Sequence, residues 1–129
     1  MVFFWRPKKI LIIEDNADLV NFIKRILEAS HFVVFSSTTG KGAVDLAVEK
    51  RPDVIILDIM IPDMSGQEIE GLLREEPITR NTPVIYMTAL VSREEEEQAK
   101  SAPEGRILLS KPVTSARLLS AIDLAFSRK

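Results

Sequence analysis

Cysteine is absent from the 129 residues. That excludes disulfides and thiolate metal centres; the redox compartment is left open, and a reducing cytoplasm fits. No apolar run approaches the length needed to cross a bilayer, so no membrane span is expected. Positive charge is not in excess: 17 lysines and arginines stand against 19 aspartates and glutamates, a net charge of −2. No basic field therefore advertises direct binding to nucleic acid. Internal repeats, low-complexity tracts and Gly/Ser linkers are also missing. What remains is globular composition, 46% hydrophobic and 28% charged, enough for one domain with a real core.

The chain opens "MVFFWRPKK". Its apolar run covers only Val2 to Trp5, and the charges follow that run, the reverse of a secretory signal. Residues 1–8 read as a leader. Phe3, Phe4 and Trp5 either belong to it, pack loosely on the domain, or offer a partner a docking patch. Beyond them, short apolar runs alternate with helical patterns. The runs are Ile10–Ile13, Phe32–Phe35, Val54–Leu57, Val84–Met87 and Ile107–Leu109, each rich in apolar residues and bounded by polar or proline signals. They suit strands buried on both faces.

Helices fill the intervals. Leu19, Phe22, Ile23, Ile26 and Leu27 form one apolar stripe behind an Asn16 N-cap. Ala43, Leu46 and Ala47 mark a second helix, stopped before Pro52. Ser65 with Glu68, and Ser92 with Glu95, have capping-box spacing and open a third and a fourth. The third turns Ile69, Leu72 and Leu73 inward. Ser115 is expected to cap a fifth, carrying Leu118, Leu119, Ile122 and Phe126. Strict β–α alternation predicts a doubly wound α/β fold: a parallel five-stranded sheet with helices on both faces. Ligands of such sheets sit beyond the carboxyl ends of the strands.

At those ends stand Glu14-Asp15, Asp58, Thr88-Ala89 and Lys111-Pro112. An aspartate after a strand is commonly a turn former or helix cap. Three carboxylates converging on one edge are another matter, because like charges oppose one another's ionisation. A hard cation with oxygen ligands relieves this, and Mg²⁺ is commonly held by one or two carboxylates plus water and phosphate oxygens. Lys111 would add positive charge. The single histidine, His31, precedes the second run, away from this edge, and reads as a surface turn residue.

The segments "ILIIEDN", "VIILDIMIPDMSG", "VIYMTA" and "LLSKP", in that order, resemble the receiver (REC) domain of bacterial two-component response regulators. The resemblance covers essentially Lys9 to Phe126 and places a receiver domain at residues 9–127. It implies the (βα)5 flavodoxin-like fold with strand order 2-1-3-4-5. It further implies Asp58 as phospho-acceptor, Asp15 as a direct Mg²⁺ ligand, Glu14 as a ligand acting through water, and the Met60 backbone carbonyl as a metal ligand. Thr88 would be the switch hydroxyl, Lys111 the partner of a phosphoryl oxygen, and Lys111–Pro112 a cis peptide. The implied partner is a sensor histidine kinase or histidine phosphotransfer protein, the setting cytoplasmic, and a phosphorylation-linked dimer one outcome. The domain would be a switch rather than an enzyme, limited to Mg²⁺-dependent self-phosphorylation and autodephosphorylation. The last helix runs to "FSRK", so no effector domain is expected within these residues.

Some positions depart from the family pattern. Leu108 stands where the family usually has an aromatic switch residue. That motivates a competing reading, a receiver-like scaffold that is never phosphorylated. Met60 replaces the acid/base aspartate expected of a haloacid-dehalogenase phosphatase, and the acidic "EDNADL" is unlike a flavin phosphate loop. Met60 and Leu90 are apolar and are expected to shield an acyl phosphate from water. Glu94–Glu97 read as a solvated helix face favoured by the helix dipole, with an acidic partner-selection surface as the alternative. Pro62 and Gly66 read as plain turn residues.

Overall fold

A computed structural model describes residues 6–101 and 106–128; Phe3, Phe4 and Trp5 lie outside the described residues. The elements in chain order are β1 (Lys9–Ile13), α1 (Ala17–Ala29), β2 (Val33–Ser37), α2 (Gly40–Lys50), β3 (Val54–Asp58), β4 (Met60–Ile61), β5 (Met64–Ser65), α3 (Gly66–Glu75), β6 (Val84–Thr88), α4 (Arg93–Lys100), β7 (Ile107–Ser110) and α5 (Ser115–Ser127). Five strands form one parallel sheet in the order β2-β1-β3-β6-β7. Counting only these five, the order is 2-1-3-4-5, as expected.

Strand alternation splits the core into two layers. Ile10 and Ile12 of β1 face Val20, Ile23 and Leu27 of α1 and Leu118 and Ile122 of α5. Leu11 and Ile13 face the other way, toward Ala43 and Ala47 of α2 and Ile69 and Leu73 of α3. A strand covered on both faces needs apolar residues at every position, and all of β3 is buried. Among the described residues, no helix is long and apolar enough to cross a membrane.

Several local expectations change. The second strand runs Val33–Ser37 rather than Phe32–Phe35, and as the sheet's edge it is only partly buried. Phe32 instead stacks on Phe126, with ring centroids 6.1 Å apart. Val20 replaces Phe22 in the buried stripe of α1; Phe22 and Leu72 fall at the edges of their helices' apolar faces and are exposed. Thr114, not Ser115, caps α5: its hydroxyl accepts the Arg117 N–H at 3.4 Å. Asn16, Ser65 and Ser92 cap as expected, the two serines in full capping boxes.

The loop after β3 carries a two-stranded antiparallel hairpin, β4–β5, absent from the sequence-based reading. Its Asp63 accepts the Gly40 and Lys41 N–H groups at 2.9 and 3.2 Å, closing the N-terminus of α2. Those bonds hold the Asp63 carboxyl below its ordinary pKa. Gly40 is required here: a Cβ would lie 2.8 Å from Met64 Cβ and 2.9 Å from Ile69 Cδ1. Gly66 also does more than turn the chain. It opens α3 with its Cα side against Ile59, whose Cα would be 3.1 Å from an added Cβ.

Candidate functional site

The parallel register brings the ends of β1, β3, β6 and β7 to one edge. Glu14 follows β1, its N–H bonded to Ser37 O at 3.1 Å, and its side chain is fully buried. Asp15 beside it is exposed. Asp58 ends β3 at 4% exposure, one Oδ1 accepting the Met60 N–H at 3.0 Å. Carboxylate oxygens of Glu14, Asp15 and Asp58 all lie within 4.8 Å of one another. Lys111, one residue past β7, reaches across the sheet edge to Glu14 Oε1 at 2.7 Å and Asp58 Oδ2 at 3.2 Å. Its peptide bond to Pro112 is cis.

The electrostatics follow from burial. Removing Glu14 from water raises its carboxyl pKa, and the bond from Lys111 only partly offsets this. Burial by itself would weaken the Lys111 ammonium, but bonds to Glu14 and Asp58 hold its pKa above the ordinary value. The lysine thus stays cationic between the two buried carboxylates. An all-oxygen, carboxylate-rich donor set of this kind fits a hard divalent cation, and it fits poorly with a soft one.

Thr88 ends β6, one residue beyond Met87, the register partner of Asp58. It is buried, and its hydroxyl oxygen accepts the Leu90 N–H at 3.1 Å. The Lys111 N–H is tied to Thr88 O at 2.9 Å, joining the two loops. Met60 touches the site through its backbone N–H, while Met60 and Leu90 as residues are 64% and 70% exposed. His31 sits in an exposed left-handed turn after α1 at φ 70°, as a turn residue should.

Glu96 contradicts the solvated-face reading of the glutamate run. Glu94, Glu95 and Glu97 are exposed, but Glu96 is 2% exposed. It accepts the Ser110 N–H at 2.7 Å and Ser110 Oγ at 3.2 Å, and pairs with Arg117 Nε at 3.0 Å and Nη2 at 2.6 Å. Sequence reasoning missed both partners, because Arg117 looks like any exposed helix arginine. Leu108 is half-buried in the second core layer and pairs in register with Tyr86. The aromatic ring of this neighbourhood therefore belongs to Tyr86, with the Arg106 guanidinium 4.9 Å from its centroid.

Comparison with known proteins agrees with this architecture. Residues 10–123 match the model of the response regulator receiver domain. The chain is 34% identical over 116 residues to the polar-differentiation response regulator DivK of Brucella anthropi, covering 90% of this chain and 94% of that protein. It superposes on the chemotaxis response regulator CheY4 of Vibrio cholerae with a TM-score of 0.80 and 25% identity, covering 93% of this chain and 99% of the other. The receiver domain of the sensor histidine kinase PA1611 from Pseudomonas aeruginosa, solved with magnesium in its active site cleft, gives a TM-score of 0.77 and 26% identity, over 94% and 99% of the two chains. The chain belongs to the response regulator receiver domain family, the phosphorylation-dependent switches of two-component signalling.

Proposed function

We propose that residues 9–127 form a receiver that accepts a phosphoryl group on Asp58, with residues 1–8 as a leader. The observation that carries this reading is the Lys111 ammonium seated between buried Glu14 and Asp58, beside Asp15. The donor is a phosphohistidine on a sensor kinase or phosphotransfer protein, and the setting is cytoplasmic. An Asp58 carboxylate oxygen attacks phosphorus, an O–P bond forms, and the donor's P–N bond breaks as imidazole leaves. The product is an acyl phosphate.

Glu14, Asp15, Asp58 and the Met60 carbonyl would hold Mg²⁺, which when bound neutralises charge on the carboxylates and on the phosphoryl oxygens. Lys111 exchanges part of its bonding from the Asp58 carboxylate to a phosphoryl oxygen. The incoming charge of roughly −1.5 to −2, by analogy with other phosphoresidues, draws the Thr88 hydroxyl away from the Leu90 N–H. Catalysis is thus positioning and charge compensation, and the chain acts on no substrate but itself and its donor.

Fluoroberyllate, a mimic of the phosphoryl group, tests this reading. Adding it with Mg²⁺ to ¹⁵N-labelled protein should shift the amides of Ile59, Thr88, Ala89 and Lys111, and D58N should abolish the response. An unchanged spectrum would favour the scaffold reading that Leu108 motivates.

A further inference from the structure

The hydrogen bonds around Lys111 point to a part of the site that lies outside the acidic cluster. Arg117, on the first turn of α5, donates from Nη1 to Pro112 O at 2.9 Å and from Nη2 to Ser110 O at 2.7 Å. Its one planar guanidinium therefore grips the peptide carbonyls on either side of Lys111. Glu96 of α4 accepts from the same guanidinium through Nε and Nη2, and accepts the Ser110 N–H as well. Both side chains are well shielded, Arg117 at 16% and Glu96 at 2% side-chain exposure. The first residue of the gripped segment, Ser110, and the Lys111 N–H bonded to Thr88 O complete the frame.

We propose that Arg117 and Glu96 are positioning residues for Lys111, and that through them α4 forms part of the mount of the phosphoryl-accepting site. This rests on the assignment of Asp58 and Lys111 above. The physical need is plain. Lysine is a point charge on a flexible stem, so the placement of its ammonium depends on how firmly its backbone is held. A planar fork presents its donors to the two carbonyls in a fixed geometry, whereas the donors of an ammonium rotate on a flexible stem. A carboxylate that also binds the Ser110 N–H locks the segment against α4 rather than merely neutralising the arginine.

The consequence differs from that of a structural ion pair, and two variants, compared with the wild type and Lys111→Ala, separate the two. R117K keeps the charge opposite Glu96 but loses the two-carbonyl grip. The exchanged pair E96R/R117E restores the attraction between α4 and α5 but leaves no donor for Ser110 O and Pro112 O at position 117. Each is incubated with acetyl phosphate and Mg²⁺, and phosphoryl uptake is followed by intact mass. In that reaction an Asp58 oxygen forms the new O–P bond and acetate leaves. Circular dichroism and thermal midpoints are measured alongside, at a temperature where all forms are folded.

Folded R117K should lose on the order of 10- to 100-fold in uptake rate, approaching Lys111→Ala. The exchanged pair should stay slow at whatever midpoint it shows. A rate within about twofold of the wild type in folded R117K, or rescue of the rate by the exchanged pair, overturns the proposal. Failure of the wild type itself to take up phosphoryl would instead overturn the assignment of Asp58, so the two failures are distinguishable.

Discussion

Among single residues, Glu96 shows how little a composition-level reading reveals about one carboxylate. Four glutamates stand in a row, and nothing local marks the third. Its burial is decided by Arg117 and Ser110, 21 and 14 residues away. Burial alone would raise its pKa, but bonds from Arg117 and Ser110 leave it below the ordinary glutamate value. A carboxyl lowered on folding contributes stability that is fully present above its unfolded pKa and lost as pH falls through the folded one. The thermal midpoint of the wild type should therefore exceed that of E96Q at neutral pH, and the gap should close as pH drops below about 4.5. A gap constant from neutral pH to strong acid would contradict the pairing. Gly40 makes a second residue-scale case. Gly40→Ala places a methyl against Met64 and Ile69, with an expected loss of about 1–3 kcal/mol in urea unfolding, despite alanine's better helix propensity.

The elements most legible in the sequence were those whose rule is local. Ser65 with Glu68 and Ser92 with Glu95 announced two helix starts, because a capping box needs only four residues to form. The hairpin β4–β5 was illegible for the opposite reason: two-residue strands have no period to detect, and their placement depends on Asp63 reaching α2. Helix α4 depends heavily on its terminus, since Glu96 is its buried residue. S92A should cost about 1 kcal/mol and speed hydrogen exchange in α4 and β7 before the rest of the sheet. Uniform exchange across the sheet would show that α4 is not separately anchored. The loops after β3 and β6 present exposed Met60 and Leu90 to the mouth of the site. If these apolar chains exclude water, M60N and L90N should each hasten loss of the phosphoryl group, measured by intact mass after the donor is removed. An acyl phosphate lasting only seconds in the wild type with Mg²⁺ would rule the shielding out.

At the scale of the molecule, fold and site were legible together because one topology produces both. Buried strands read as continuous apolar runs, and their carboxyl ends must share an edge, so Glu14, Asp15, Asp58, Thr88 and Lys111 were brought to one place. Which carboxylate Lys111 holds most closely was not legible, since the 2.7 Å bond to Glu14 is set by side-chain geometry across 97 residues of chain. Three clustered carboxylates, two of them bonded to Lys111, also leave the folded state with charge to neutralise. Mg²⁺ at about 100 times its dissociation constant should raise stability by about 2.7 kcal/mol, and D15A should lose that gain. The central claim is tested most directly by incubating the chain with acetyl phosphate and Mg²⁺ and mapping the product by peptide mass spectrometry. The account predicts a single phosphoryl group on the peptide containing Asp58, which does not form when EDTA replaces Mg²⁺ during the incubation or in D58N. A phosphoryl group elsewhere, or none, would contradict it.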